Sequence, residues 1–187
     1  DLPLAMFPNV LERLRGAPPR LAERLGGLAG EQLARRSGET WSILENAAHL
    51  VQVEAIWIGR LADFAQGLPE LRAADSSHQS AAAVASGAAD AGEVAAEIVA
   101  AFTGARARFV ARLEALGEAD LTRTALHPRL RQPMRVLDRI LSVWLREYAL
   151  ARELEVAPSH QWFWDGQEHV DPAKEATVIA DAGVVHD

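Results

Sequence analysis

Residues 41–67 read WSILENAAHLVQVEAIWIGRLADFAQG, and this stretch decides the fold. Apolar side chains recur at three- and four-residue spacing from Ile43 to Phe64, a helical period sustained far beyond the usual length of a strand. Thr40 or Ser42 can accept a first-turn N–H at the start, and Gly67 followed by Pro69 can end the run. The expectation is one long helix with His49 inside it.

Outward from that segment the same period returns. MFPNVLERLRG (6–16) and PPRLAERLGGL (18–28) form one amphipathic face through Val10, Leu14, Leu21 and Leu25. A helix over 5–28 is predicted, with a bend or break at Pro18 and Pro19, because proline lacks the N–H donor and crowds the preceding turn. AGEQLARRSGET (29–40) reads as a polar connection, and the Ala- and Ser-rich stretch 68–92 as a long crossing loop. In 93–116, EVAAEIVAAFTGARARFVARLEAL, a third face runs through Val94, Ile98, Ala101 or Phe102, Ala105, Phe109, Arg112 or Leu113, and Leu116. After the polar connection 117–133, MRVLDRILSVWLREYALARELEV (134–156) supplies the fourth helix. No run of β-branched residues alternates with polar ones, so no strands are expected and the class is all-α, a four-helix bundle. Residues 157–187 carry Trp162, Phe163 and Trp164 with no helical repeat before 172, and read as a C-terminal extension that folds back on the bundle.

Composition narrows the function. The 187 residues are 49% hydrophobic and 24% charged, enough for one domain with a core. Nineteen Lys and Arg are outnumbered by acids, giving a net charge of −7, and the arginines are scattered rather than clustered. Neither nucleic acid nor an anionic membrane is therefore an expected partner. The absence of cysteine removes disulfides, thiolate metal ligands and a thiol nucleophile. With no apolar run long enough to span a bilayer and no signal-peptide pattern at DLPLAMFPNV, a cytoplasmic location is expected.

At 100° per residue, Ser42, Glu45, Asn46, His49, Gln52, Arg60 and Asp63 fall in one stripe of the second helix, with Val53 and Ile56 among them. His49 alone is no metal site, since transition metals take three protein ligands or more. A bundle would most simply supply the others as a His-x-x-x-His pair, one turn apart on a facing helix. The fourth helix has no histidine; Trp144 and Tyr148 hold that four-residue spacing on its apolar face. Glu54, on the more apolar side of the second helix, is expected to pair with Arg106, Arg108 or Arg112. The DSSHQS loop around His78 has serines and a histidine but no rigid third group to orient a base, and reads as a solvated loop. No phosphate loop, nucleophile elbow or His-Glu-x-x-His helix is present.

Four local features in this order, ETWSILENAAHLVQVE (39–54), LRAAD (71–75), FTGARARFVARLEAL (102–116) and ALHPRLRQPMRVLD (125–138), resemble the DinB/YfiT-like family of metalloenzymes over residues 5–156. The resemblance implies an up-down-down-up four-helix bundle, often dimeric, holding a divalent metal through one histidine of helix two and two of helix four. Relatives include thiol-dependent S-transferases and a mycothiol-dependent maleylpyruvate isomerase. Carried over residue by residue, only His49 survives. The helix-four pair falls at Trp144 and Tyr148 or, in another register, at Arg146 and Leu150; the helical wheel favours the first. The reading is a bundle with a degenerate metal site, no resident cofactor, and a small-molecule or partner-binding pocket lined by Glu45, His49, Gln52, Trp144 and Tyr148. One alternative is a thiol S-transferase holding Zn or Ni through His49 with non-standard ligands, drawn from Glu45, Glu54, Glu147, His160 or His169; His127, in the HP dipeptide before helix four, reads as a loop feature rather than a ligand. The other is a structural homodimer.

Overall fold

The computed structural model describes residues 3–36, 41–73 and 90–140. After a 3-10 turn at Leu4–Met6 come α1 (Phe7–Gly26), the short α2 (Gly30–Ala34), α3 (Ile43–Ala65), α4 (Ala91–Glu114) and the short α5 (Glu118–Leu121). A hairpin follows, β1 (Thr124–Leu126) and β2 (Pro133–Arg135), and residues 136–140 are helical, at the start of the segment expected to form the fourth helix. Residues 74–89, with His78, and 141–187, with Trp144, Tyr148, Arg146, Leu150, His160, His169 and the expected extension, lie outside the described residues.

The direction of each helix follows from which residues share a core. One apolar cluster joins Val10, Leu11 and Leu14 of early α1 to Trp57 and Phe64 of late α3, Phe109 and Leu113 of late α4, and Val136, Leu137 and Ile140. A second joins Leu21 and Leu25 of late α1 to Leu44, Ala47 and Ala48 of early α3 and Ala95, Ile98 and Phe102 of early α4. Helix α1 therefore runs antiparallel to α3 and α4, which run parallel to each other. The fourth helix starts in the cluster where α1 starts. In sequence the two parallel helices are separated by the Ala- and Ser-rich stretch that was read as a crossing loop, most of which lies outside the described residues.

Helix α3 is the central element; Ala55 and Ala65 are its exposed residues. Ser42 is its N-cap, as expected, and Gly67 adopts φ 68°, the left-handed conformation that ends the helix at low steric cost. On α4 the alternatives resolve to Phe102 and Leu113, both buried, while Ala101 and Arg112 are exposed.

Three expectations need correction. Helix α1 runs unbroken through Pro18 and Pro19. Pro18 cannot donate to the carbonyl of Leu14, and that oxygen instead accepts from Arg106 Nη1 at 3.2 Å, so a side chain from α4 satisfies the group that the proline leaves open. The polar connection 29–40 contains α2, anchored by Leu33 at 1% exposure. Residues 117–133 contain α5 and lead into a hairpin, although no strand was expected. Its register is Thr124 opposite Arg135, Ala125 opposite Met134 and Leu126 opposite Pro133. These three-residue strands lack a β-branched run and depend on distant contacts: Leu126 donates to the Pro69 carbonyl and its own carbonyl accepts from Leu71.

Candidate functional site

The stripe of α3 that carries His49 is a buried seam rather than a solvated face. Glu45 is 1% exposed and Asp63 2%, and each carboxylate is claimed by an arginine from outside the helix.

At the N-terminal end, Ser42 Oγ accepts from the Glu45 N–H (3.2 Å) while Glu45 Oε2 accepts from the Ser42 N–H (2.8 Å), a reciprocal cap that uses two open first-turn donors. Arg36 Nε donates to the same oxygen at 2.7 Å and its Nη2 pairs with Oε1. The Arg36 guanidinium holds the Glu45 carboxyl down at about 2, against the upward push of burial, with the Ser42 bonds adding to the effect. Glu45 is thus a fixed anion with both oxygens committed.

One turn further along, the His49 ring meets the Trp41 indole in a T-shaped arrangement, with centroids 5.4 Å apart and planes at 72°. Trp41 is held in turn by Asn46, whose Nδ2 donates to the Trp41 carbonyl (3.4 Å) and the Ser42 carbonyl (3.0 Å). His49 and Gln52 are half-buried. The structure therefore brings Glu45, His49 and Gln52 onto one face, while the other two expected pocket residues, Trp144 and Tyr148, lie outside the described residues.

His127 is elsewhere and has a different task. It sits in the hairpin at 8% exposure, and its Nδ1 accepts from the N–H groups of Arg129 (3.2 Å) and Leu130 (3.0 Å). Accepting at Nδ1 places the proton of the neutral ring on Nε2, and the imidazole caps a turn that Arg131 completes at φ 55°. It is a loop-forming residue.

The donor chemistry decides whether a divalent metal fits. A centre needs three or more available ligands. Glu45 is occupied by Arg36 and Ser42, His127 closes its own turn, and no cluster of three His, Asp or Glu suited to a metal occurs among the described residues. The other expected histidine ligands, His160 and His169, and Glu147 lie outside the described residues. The described residues do not make the three-histidine centre that the resemblance implies.

Further along the face lies an arrangement that the sequence reading missed. The Arg60 and Arg139 guanidinium carbons lie 5.1 and 4.5 Å from the Trp57 ring centroid. Asp63 accepts from the Arg72 backbone N–H (2.9 Å) and from its guanidinium (2.6 Å), which holds the carboxyl below its ordinary value. Gly59 leaves the room: a Cβ there would stand 2.5 Å from an Arg72 nitrogen. The spacing of Trp57 and Arg60 was visible in the sequence. The contribution of Arg139 required knowing how the fourth helix packs. On the opposite side of α3, Glu54 receives Arg106 through Nε (3.0 Å) and Nη2 (2.6 Å), both side chains 1% exposed, which selects Arg106 from the three arginines considered.

The sequence profile of the DinB superfamily matches residues 13–150. The chain belongs to that superfamily. Among solved structures, YfiT from Bacillus subtilis, described as "a probable metal-dependent hydrolase with an unusual four-helix bundle topology", superposes with a TM-score of 0.69 at 18% identity, covering 83% of this chain and 89% of its own. No curated protein matches the sequence. The expected fold class, an all-α DinB-like four-helix bundle, holds, with the hairpin as a local addition. No helix among the described residues is long and apolar enough to cross a membrane.

Proposed function

We propose that this DinB-superfamily protein binds a small molecule in the seam between α3 and the fourth helix, at the face carrying His49 and Gln52, without the three-histidine metal centre of its relatives. The observation that carries the reading is the commitment of Glu45: Arg36 and the Ser42 cap consume its carboxylate, so the acid one turn from His49 neither ligates a metal nor takes up a proton near neutral pH. In helix four the sequence offers Trp144 and Tyr148 where a histidine pair would complete the centre. An indole and a phenol at the two positions that the family resemblance aligns with the histidine pair would favour a flat or apolar ligand held by few hydrogen bonds. Any homodimer or cytoplasmic setting belongs to the same proposal; removing residues 157–187 and measuring mass in solution tests whether the extension supports a dimer.

The test is a thermal-shift panel of small molecules that includes low-molecular-weight thiols, run on wild type, His49→Ala and Gln52→Ala. A ligand present at 100 times its Kd adds about 2.7 kcal/mol to stability. A ligand-induced shift lost in His49→Ala supports the reading. Shifts that persist unchanged in both variants count against it.

A second reading rests on the structural neighbour, which is described as metal-dependent. His49 would then hold Zn or Ni with ligands from beyond residue 140, and the protein would act as a hydrolase or as a transferase using a small thiol. One equivalent of metal lost in His49→Ala would favour it.

A further inference from the structure

We infer that Trp41 is the positioning residue for His49, and that the ion-paired cap at the start of α3 exists to hold it there. This rests on the reading of His49 as the group that meets ligand. Trp41 lies outside the helix, immediately before its N-cap, yet its indole packs against a ring two turns further on. Such a reach requires the chain to enter α3 at a fixed angle. Two sets of contacts fix that angle. Asn46 grips the carbonyls of Trp41 and Ser42, and Glu45 both caps with Ser42 and receives Arg36 from the segment after α2. The usual staple packs the residue before the cap onto the fourth helical position; here the contact skips to the seventh, which is His49.

An imidazole on a helix has two accessible χ1 wells, and each contact to the ring weights one against the other. A T-shaped aromatic contact of ordinary strength favours the contacting well by roughly 2- to 10-fold. Trp41 thereby biases the χ1 well from which the His49 ring meets the seam.

The experiment is NMR of isotope-labelled, ligand-free protein, reading the His49 χ1 population from side-chain couplings, with His49→Gln used for assignment. Wild type is expected to favour one well, Trp41→Leu to lose that preference by roughly 2- to 10-fold, and Trp41→Phe to recover it, since a phenyl ring restores the contact and an isobutyl group does not. Asn46→Ala carries the same test with Trp41 intact, and partial averaging is the expected result. An unchanged preference in Trp41→Leu, or in Asn46→Ala should Trp41→Leu not fold, overturns the inference. The measurement uses no ligand, so a small-molecule panel that fails to find a His49-dependent shift would sink the binding reading while leaving the positioning result to stand by itself.

Discussion

Arg106 joins three helices through three hydrogen bonds to two partners of different kinds, and removing it has a cost that can be divided. Its Nε and Nη2 reach the Glu54 carboxylate of α3, and its Nη1 reaches the Leu14 carbonyl that Pro18 leaves without a backbone donor. With both side chains 1% exposed, Arg106→Met leaves a buried carboxylate without its counter-charge, a loss of about 3–5 kcal/mol. The orphaned Leu14 carbonyl adds about 1–3 kcal/mol. For a chain of this size, 1 kcal/mol moves Tm by about 2–4 °C, so the ion-pair loss alone predicts a fall of roughly 6–20 °C. Glu54→Leu combined with Arg106→Met removes both charges and should be less damaging than Arg106→Met, because an apolar pair replaces an expensive desolvated one. Its residual cost is the Leu14 carbonyl. Adding Pro18→Ala supplies a backbone donor to that oxygen, and should recover about 1 kcal/mol more in the Arg106→Met background than in wild type. Urea and thermal denaturation at pH 7, followed by circular dichroism, read these between them. A double variant no more stable than Arg106→Met would refute the coupled-pair account. Equal effects of Pro18→Ala in the two backgrounds would refute the role given to Arg106 in carrying α1 through its prolines.

Other outcomes follow from the same structure. Because the folded Glu45 carboxyl sits at about 2 rather than its ordinary 4.5, the stabilisation it provides is fully present above 4.5 and is lost as pH falls through that window; acid titration of Arg36→Ala should show a shallower loss there than wild type. Gly67→Ala forces a methyl group into φ 68° and should cost about 1 kcal/mol in the same urea assay, with α3 otherwise intact. His127→Ala removes the acceptor of two backbone N–H groups, so the amides of Arg129 and Leu130 should exchange with solvent at least several-fold faster while the Leu14 amide is little changed.

How much of this was legible in the sequence depended on whether the relevant contact is local. The start and end of α3 were readable because a Ser-x-x-Glu cap and a glycine act within a single turn. The faces of α1 and α4 were readable from period, and Glu54 pointed to an arginine of a neighbouring helix because a lone acid on an apolar face needs a cation, although the choice of Arg106 over Arg108 and Arg112 needed the packing. The hairpin was not readable: TAL and PMR have no strand signature, and their pairing is completed by backbone groups at 69–71. Nor was the continuity of α1 through Pro18, which rests on an arginine 88 positions away in sequence. The seam around His49 had the right residues on one face, but their burial was hidden because Arg36 and Arg72, which neutralise Glu45 and Asp63, lie outside the helix. The up-down-down-up order was implied by family resemblance, and the two mixed core clusters supply its physical basis.

The central claim is that His49 serves a binding seam and not a metal centre. Elemental analysis tests it most directly, on untagged protein purified without chelator and again after exposure to Zn, Ni and Mn followed by desalting. The account predicts well under one equivalent of any metal, with the same trace level in His49→Ala. One equivalent retained by wild type and abolished in His49→Ala would contradict it.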